Sequence, residues 1–240
     1  MNNVNKLLET KVELSEKQIH VFLLQLDLFN YDDLLFYLSK DECERAARLK
    51  IEEKKKQFVI VRSVLRKLLS NTLGKSSKAI IFSYGQHKKP YIEEKYNNKS
   101  IEFNISHSEN YALIAITLDN KVGVDIEKIN REIDYQSLSH RFFSEKEKDE
   151  LTSLDKDDQL DAFYRAWVRK ESFIKATGKG IAFGLDLFSV SLAENKKSSI
   201  EVIPANLTNE QWCCYDLMNL DNYKMALTSC SKEQDIIIFR

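Results

Sequence analysis

The chain has 240 residues, of which 43% are apolar and 30% charged, and its net formal charge is −1. This apolar content is enough for a buried core and excludes a disordered chain, while the balanced charge gives none of the basic field typical of nucleic-acid-binding proteins. No apolar run approaches the ~20 residues that a membrane span needs, and the polar first twenty residues lack a signal-peptide core. We therefore expect a cytoplasmic protein that binds neither nucleic acid nor a membrane.

Strand-like and helix-like patterns alternate along the first half of the chain. In chain order they predict a strand over 20–27, short helices over 32–38 and 40–49, a long helix over 52–74, and strands over 79–83 and within 103–118. Gly74 suits the end of the long helix because glycine readily adopts the left-handed backbone found at helix ends. The first half is thus predicted to combine one long helix with several strands.

Two arginines, Arg62 and Arg66, lie one turn apart on that long helix. Guanidinium groups match the geometry of phosphate, so the pair fits a phosphate clamp. The alternative is a solvated helix surface, and the helix taken by itself favours that alternative.

A strand with an acidic face is predicted over residues 122–129, VGVDIEKI. The pattern alternates as in a half-buried strand, so that Gly123, Asp125 and Glu127 share one face. Two carboxylates this close repel each other unless a cation neutralises them, and a hard divalent ion with oxygen ligands is the natural candidate. The alternative is a strand face of solvated acids, which so short a motif favours on its own.

The second half repeats the order of the first, with helices before strands. Its pattern predicts two short helices around residues 141–144, with a capping box formed by Ser144 and Glu147, and then a long helix that ends near Gly178. The predicted strands follow over 187–192, 199–203, 212–217, 224–229 and 235–239. The chain is therefore predicted to form two α+β halves that meet near residue 118.

The long helix of the second half, within residues 161–180, combines an apolar stripe with a polar one. Helical spacing gives a stripe made of Phe163, Ala166, Trp167, Lys170 and Ile174. Lys170 is its exception, since the other four suit burial. On the neighbouring stripe Glu171 and Lys175 are one turn apart, and such a pair is ordinarily a solvated surface pair.

Taken in order, four motifs resemble one enzyme family. FNISHS, VGVDIEKI, RFFSEKE and WVRKESFIKATGKG follow each other along the chain, and this series is similar to the signature of the 4′-phosphopantetheinyl transferases, above all of their Sfp-type, two-half branch. The resemblance implies an α+β fold of two similar halves related by a pseudo-twofold axis. Each half would pack a long helix on a small antiparallel sheet, with the coenzyme cleft between them.

The resemblance also implies a division of labour and a reaction. Residues 1–118 would form the coenzyme-binding half, and residues 119–240 would carry the metal site and the catalytic helix. The enzyme would move the 4′-phosphopantetheine arm of coenzyme A onto a serine of an apo acyl or peptidyl carrier protein, with Mg²⁺, and release adenosine 3′,5′-bisphosphate. We expect a monomer, as is general for the two-half enzymes. A Mg²⁺-dependent nucleotide pyrophosphate hydrolase and a non-catalytic carrier-protein-binding module are the alternatives.

Three acids match the metal carboxylates of the family. They are Asp125 and Glu127 on the strand and Glu171 on the helix. Lys175 matches the lysine that contacts the pyrophosphate and steadies the leaving phosphate. The base for the serine proton is Glu171, or Glu127 through a water molecule, and both stay open. Mg²⁺ and Mn²⁺ accept the same oxygen ligands, so their order of preference stays open too.

Other motif positions imply contacts with the coenzyme and the carrier protein. The coenzyme-binding residues are predicted to be Arg45, Arg62, Lys89, Pro90, Ser106, His107 and Lys175. The chain departs from the family at Lys88, which stands where the family has the glycine of G-K-P, so a side chain is added beside the coenzyme. Carrier docking is predicted on the segment 130–143, through Arg131, Arg141 and Phe142, and the alternative there is an ordinary surface loop.

Overall fold

The computed structural model describes residues 7–10, 13–180, 183–194, 197–200, 210–230 and 234–240. Its named α-helices are α1 (Tyr31–Leu34), α2 (Lys40–Arg48), α3 (Glu52–Leu73), α4 (Tyr135–Phe142), α5 (Glu145–Ser153) and α6 (Lys156–Thr177). Its strands are β1 (Gln18–Gln25), β2 (Phe82–Tyr84), β3 (Pro90–Ile92), β4 (Ile101–Ser108), β5 (Tyr111–Leu118), β6 (Val122–Lys128), β7 (Lys197–Ser199), β8 (Cys213–Asp216), β9 (Tyr223–Ser229) and β10 (Asp235–Phe239). The α+β class predicted from the sequence is confirmed.

The first sheet has the strand order β10-β1-β5-β4. β5 runs antiparallel to both β1 and β4, whereas β10 pairs with β1 in parallel, so this sheet is mixed rather than wholly antiparallel. β10 comes from the C-terminal end of the chain and so ties the second half to the first. Helix α3 covers one face of the sheet. Its apolar side chains share a buried core with those of β1, β4 and β5, including Phe22, Leu65, Leu68, Phe103 and Ile114.

The second sheet has the order β6-β9-β8-β7 and is antiparallel throughout. Helix α6 lies across β6 and β9. Its core is rich in stacked aromatic rings, including Phe163, Phe173, Phe188 and Trp212. A third apolar cluster joins side chains of β1 and β5 to those of β6 and β9, so that the two sheets bury their remaining faces against each other.

The two halves follow the same plan. In each one a short helix begins at a serine whose capping box includes the glutamate three residues on, Glu42 in α2 and Glu147 in α5. In each one a helix of 22 residues follows, and it ends at a glycine with left-handed backbone, φ 66° at Gly74 and 69° at Gly178. The predicted helix ends and the Ser144 capping box are therefore confirmed.

The segment 187–192 was predicted to be a strand, and this prediction is wrong. Residues Leu185–Leu187 form a 3₁₀ turn, and an irregular chain follows it. Its backbone groups bond to buried side chains instead of a neighbouring strand: the Phe188 carbonyl accepts from Lys170 Nζ at 2.7 Å, and the Val190 N–H donates to Glu147 at 2.8 Å. These two buried charges take the hydrogen bonds that a sheet would otherwise supply.

Three smaller corrections concern burial and element ends. Lys170, the exception in the apolar stripe of α6, is buried along with the rest of that stripe. Its side chain is fully buried and forms an ion pair with Glu147 at 2.6 Å. The strand predicted over 79–83 is replaced by a 3₁₀ turn at Ser77–Ala79 followed by β2. β6 is not half-buried, since β4 and α6 cover its acidic face and Asp125 is only 2% exposed. The strand predicted over 199–203 lies largely outside the described residues.

Within the described ranges, no helix combines the length and the apolar composition that a membrane span requires.

Candidate active site

A cavity of about 1060 Å³ lies between the two halves and gathers most of the residues singled out from the sequence. The predicted residues that line it are Arg45, Arg62, Lys89, Pro90, Ser106, His107, Asp125, Glu127, Glu171 and Lys175. They come from helices α2, α3 and α6, from strands β3, β4 and β6 and from the turn before β3, elements that are far apart along the chain. The fold thus brings all the predicted metal and coenzyme residues to one cleft.

The close approach of α6 to β6 depends on a glycine. A Cβ atom built on Gly123 would lie 2.1 Å from the carbonyl oxygen of Ser172 and 2.3 Å from the backbone nitrogen of Ala176. These are backbone atoms in the last turns of α6, so no side-chain rotation could relieve the clash. The absence of a side chain at this position therefore lets Glu171 and Lys175 reach the acids of β6.

Lys175, Asp125 and Ser106 form a connected polar group in the cleft. Lys175 Nζ donates to Asp125 Oδ1 at 2.6 Å and to Ser106 Oγ at 2.8 Å, and Ser106 Oγ donates to the same Asp125 oxygen at 2.9 Å. Within the described residues the ion pair of Lys175 is with Asp125 and not with Glu171. The expectation of an ordinary surface pair between Glu171 and Lys175 is therefore wrong, because β6 supplies a buried carboxylate that is a better partner.

The pKa values of the two glutamates of the cleft are raised. Burial, and then the neighbouring Asp125, raise the pKa of Glu127 to about 7. Burial and Asp125 also raise the pKa of Glu171. Asp125 Oδ2 is buried and has no hydrogen-bond partner in the described structure. Such a group of crowded carboxylates favours either protons or a bound cation.

These residues fit a divalent cation that shares its coordination with a substrate. Among the described residues, no three His, Cys, Asp or Glu side chains already surround one metal position. Mg²⁺ characteristically binds through one or two carboxylates and completes its shell with water and substrate phosphates. The unpartnered oxygen of Asp125 and the part-buried carboxylates of Glu127 and Glu171 provide the oxygen ligands for that arrangement.

Two residues that hold the acidic strand in place, Asn104 and Ser108, are not among those predicted from the sequence. On β4, Asn104 Oδ1 accepts from the Val124 N–H at 2.9 Å, and Ser108 Oγ donates to Glu127 Oε2 at 3.1 Å. Together with Ser106 they form a row of polar side chains along one face of β4, which joins the first sheet to β6. The alternation of polar residues in F-N-I-S-H-S is the signal that could have revealed this row.

Basic side chains line the part of the cavity that belongs to the first half. Arg62 Nε lies 3.2 Å from Glu42 and its Nη2 donates to the Tyr84 hydroxyl at 3.3 Å, while its buried Nη1 has no partner in the described structure. Arg45 is exposed, with its guanidinium 4.9 Å from the centre of the Phe58 ring. An anionic group in the cavity could pair with both arginines.

Arg66 does not contribute to this wall. Its side chain is 2% exposed, forms an ion pair with Glu42 and donates to the carbonyl of Ile80 at 2.9 Å. Neither the phosphate clamp nor the solvated surface considered for the arginine pair describes it. The capping box of α2 holds Glu42 in the interior, where Arg66 neutralises it.

His107 also lines the cavity. Burial, together with the positive charges of Lys54 and Lys175, lowers the pKa of this histidine. Its imidazole is therefore neutral near pH 7 and offers one N–H donor to a ligand.

The turn before β3 reaches across from the first half to the second. Lys89 Nζ donates to the carbonyls of Val122 at 3.1 Å and Ala176 at 3.4 Å, at the start of β6 and the end of α6. Burial lowers the pKa of this lysine. Lys88, which stands where the family has glycine, has φ 63°, so it keeps the left-handed backbone that glycine adopts most easily.

The residues predicted to dock a carrier protein lie away from the lining of the cavity. Arg131 and Arg141 are exposed, and the Arg141 guanidinium lies 5.0 Å from the centre of the Phe142 ring. Phe142 is half-buried, with its ring edge-on to Trp167 at 5.7 Å. The segment therefore presents positive charge beside a partly exposed aromatic ring.

Comparisons with known proteins identify relatives of this chain. A family model described as the 4′-phosphopantetheinyl transferase superfamily matches residues 121–228, and one described as 4′-phosphopantetheinyl transferase, N-terminal, matches residues 29–118. The chain is 32% identical over 212 residues to the 4′-phosphopantetheinyl transferase HetI of Nostoc sp., covering 88% of this chain and 86% of that protein. It is 35% identical over 205 residues to the transferase ffp of Bacillus subtilis (85% and 86% covered) and 32% identical over 200 residues to Sfp of the same species (83% and 84% covered).

Proposed function

The chain belongs to the 4′-phosphopantetheinyl transferase superfamily, and from this membership we propose how its cleft carries out the reaction. It is an enzyme that transfers 4′-phosphopantetheine to carrier proteins. We propose that the donor is coenzyme A, that a serine of an apo acyl or peptidyl carrier protein is the acceptor, and that adenosine 3′,5′-bisphosphate is released. The observation that carries this proposal is one cavity with crowded acids from the second half and basic groups from the first.

We assign Mg²⁺ to Asp125, Glu127 and Glu171. The unpartnered Asp125 Oδ2 and the raised pKa values of the two glutamates support this assignment. When bound, Mg²⁺ neutralises negative charge on the pyrophosphate of the coenzyme. Lys175 lies on the same side of the cavity, where its ammonium can stabilise charge on the departing phosphate.

Glu171 or Glu127 accepts the serine proton. Both carboxylates line the cavity, and burial and Asp125 raise the pKa of Glu127 to about 7 and also raise the pKa of Glu171. A base whose pKa is close to the working pH is the most effective proton acceptor. Separate Glu127→Gln and Glu171→Gln variants test the assignment, since the base is the residue whose loss removes the limb of the rate profile that rises with pH.

The first half supplies the coenzyme contacts. Arg45 and the unpartnered Nη1 of Arg62 suit phosphate groups, and neutral His107 suits a phosphate or hydroxyl oxygen. Ser106 fixes the positions of Asp125 and Lys175 relative to each other, because its hydroxyl donates to Asp125 and accepts from Lys175. Because Lys89 Nζ is engaged by two carbonyls, we propose that Lys89 and Pro90 act through the position of their backbone.

Several further features are part of the same proposal. The division into residues 1–118 and 119–240 is supported by the ends of the two family matches. Carrier docking at Arg131, Arg141 and Phe142 is supported by their exposed charge and aromatic surface, which suit an acidic helical partner. A monomeric state and a cytoplasmic location rest on the sequence analysis.

The test is a transfer assay read by mass spectrometry. The protein is incubated with coenzyme A, Mg²⁺ and a panel of apo carrier proteins, and we expect a gain of about 340 Da on at least one carrier, as transfer of the phosphopantetheine arm requires. The same reaction with a carrier whose acceptor serine is replaced by alanine is the control. Cleavage of the coenzyme without any gain on a carrier would instead indicate a pyrophosphate hydrolase, and binding of carriers without either reaction would indicate a non-catalytic module.

A further inference from the structure

An unusual backbone conformation lies in the wall of the cavity. Lys88 has φ 63°, and among the described non-glycine residues with positive φ it is the one that lines the cavity. Left-handed backbone is unfavourable for a residue with a side chain, and lysine lacks the short polar group through which Asn or Asp tolerates it. Strained conformations of this kind gather at functional sites, where the surrounding structure holds them in place.

The surrounding structure holds Lys88 firmly. The Lys88 N–H donates to the Gly85 carbonyl at 2.9 Å, and the Gly85 N–H donates to the Lys89 carbonyl at 3.0 Å, so the turn is closed from both sides. The side chain of Lys89 fastens the turn to β6 and α6. His87 packs beside Gly180, because a Cβ atom added to Gly180 would lie 2.7 Å from the His87 ring. The position of Lys88 relative to both halves is thereby fixed.

The side chain of Lys88 is available to a ligand. It is exposed, and across the described part of the chain its ammonium forms neither an ion pair nor a hydrogen bond. It shares the first-half wall with Arg45 and Arg62. A lysine that served only the fold would gain nothing from this conformation, because glycine would adopt the same turn more easily.

The charges in the cavity indicate which group of the ligand Lys88 meets. This step rests on the proposed function, in which the donor carries a diphosphate and a separate 3′-phosphate. The acids of β6 and α6, with Lys175, take the diphosphate. The 3′-phosphate, a dianion near pH 7, is left for the basic wall of the first half. We propose that Lys88 is a specificity-determining residue that binds the 3′-phosphate of coenzyme A and so distinguishes it from 3′-dephospho-coenzyme A.

Direct binding measurements test this without depending on turnover. Dissociation constants for coenzyme A and for 3′-dephospho-coenzyme A would be measured by calorimetry on wild type, Lys88→Met and Lys88→Gly. We expect both variants to bind coenzyme A roughly five- to tenfold more weakly, the range for a partly exposed charge-assisted contact, with unchanged affinity for the dephospho compound. Lys50→Met, which removes the same charge from an exposed lysine outside the cavity lining, should leave both constants unchanged.

A second readout separates the role in binding from the role in folding. Lys88→Gly should raise the denaturant midpoint of unfolding while it weakens coenzyme binding, because glycine relieves the backbone strain but lacks the charge.

An equal loss of affinity for both compounds, or no loss in either variant, would overturn the proposal. These outcomes are independent of the transfer assay: a wild type that binds coenzyme A but modifies no carrier would refute the proposed reaction and leave the binding result standing. A wild type that binds neither compound would refute both.

Discussion

The two halves of the molecule share a scaffold but not a chemistry. Their first strands, β1 and β6, occupy matching places, because each pairs antiparallel with a later strand of the same half, β5 or β9. The strand faces also correspond. Alternate residues of each strand, Ile19, Val21 and Leu23 of β1 and Val122, Val124 and Ile126 of β6, lie in the apolar cluster between the two sheets, and the residues between them face the long helix of their own half.

On the face towards the long helix, the first half carries no acids. The face of β1 towards α3 carries His20, Phe22 and Leu24, all of them buried. The face of β6 towards α6 carries Gly123, Asp125 and Glu127 instead. The comparison teaches that acids alone did not make the site: a glycine beside them was needed to bring the long helix within reach.

A buried ion pair, by contrast, is present in both halves. Glu42 meets Arg66 and Glu147 meets Lys170, and in each case the glutamate caps a short helix while the cation comes from the same place in the long helix. Both cations lie fourteen residues after the first residue of their helices. The ion pair belongs to the scaffold, and the three acids belong to the chemistry.

The largest expected effect is on catalysis and is confined to the second half. Asp125→Ala or Glu171→Ala should lower the rate of carrier modification by about 10³-fold or more, because each removes a charge from the group assigned to the metal. Initial rates with saturating coenzyme A measure this.

The matched control exchanges the counterpart in the first half. Lys67 has the same place in α3 that Glu171 has in α6, and Lys67→Ala should leave the rate near that of wild type. Circular dichroism would establish that all three variants are folded. Turnover close to wild type in Asp125→Ala would contradict the metal assignment.

The next effect concerns stability and should appear in both halves. Glu147→Ala leaves the ammonium of Lys170 buried and uncompensated, and Glu42→Ala does the same to the guanidinium of Arg66. Each should lower the free energy of unfolding by about 3–5 kcal/mol, the cost of breaking a buried ion pair by removing one partner. Urea denaturation measures it.

A paired replacement sharpens this comparison. The double variant Glu147→Leu with Lys170→Met removes both charges, and it should recover much of the loss because no unpaired charge remains. A double variant as unstable as Glu147→Ala would mean that hydrogen bonds to the irregular segment after α6, rather than charge, dominate.

A smaller effect is expected where α6 approaches β6. Gly123→Ala places a Cβ against the backbone of α6 and should lower the free energy of unfolding by about 1–3 kcal/mol, the usual cost of overpacking. Transfer should fall as well, because Glu171 and Lys175 move away from Asp125. Gly85→Ala is the control for stability. A Cβ atom on Gly85 would lie 3.8 Å from the Lys89 carbonyl oxygen, which is an ordinary van der Waals contact. Unchanged kinetics in Gly123→Ala would show that the close approach is not needed.

Much of this arrangement could be predicted from the sequence because it depends on local patterns. Helical spacing and the terminal glycines gave the ends of both long helices, and the placing of Asp125, Glu127, Glu171 and Lys175 in one cleft was implied by the family motifs. The partner of Lys175 was missed, since an i,i+4 rule considers one helix and the true partner lies on a strand.

Other features could not be predicted because they depend on packing across the chain. Lys170 reads as a surface residue until the carboxylate of Glu147 is known to lie beside it. The segment 187–192 alternates as a strand does, yet its backbone bonds to those two buried side chains. In both cases the information lies in contacts between residues distant in sequence, which periodicity does not record.

The smallest expected effect separates the two halves by their response to pH. Because the pKa of Glu127 is about 7 in the folded protein against 4.5 in the unfolded chain, the folded state holds its proton more tightly. Its contribution to stability is present below pH 4.5 and is lost as the pH rises through 7.

In EDTA the free energy of unfolding should therefore fall between pH 4.5 and pH 7, by on the order of 1 kcal/mol once solvent screening of the half-buried Glu127 carboxylate is allowed for. Glu127→Gln should flatten the fall, and Mg²⁺ should oppose it by binding the ionised acids. Glu171 contributes in the same direction, so a residual slope in Glu127→Gln is expected. In the first half, Phe22 and Leu24 face the long helix and cannot titrate, and burial lowers the pKa of His20 on β1, so that this histidine contributes a pH dependence of the opposite sign. A slope that Glu127→Gln leaves unchanged would assign the pH dependence to other groups and remove the support for crowded acids at β6.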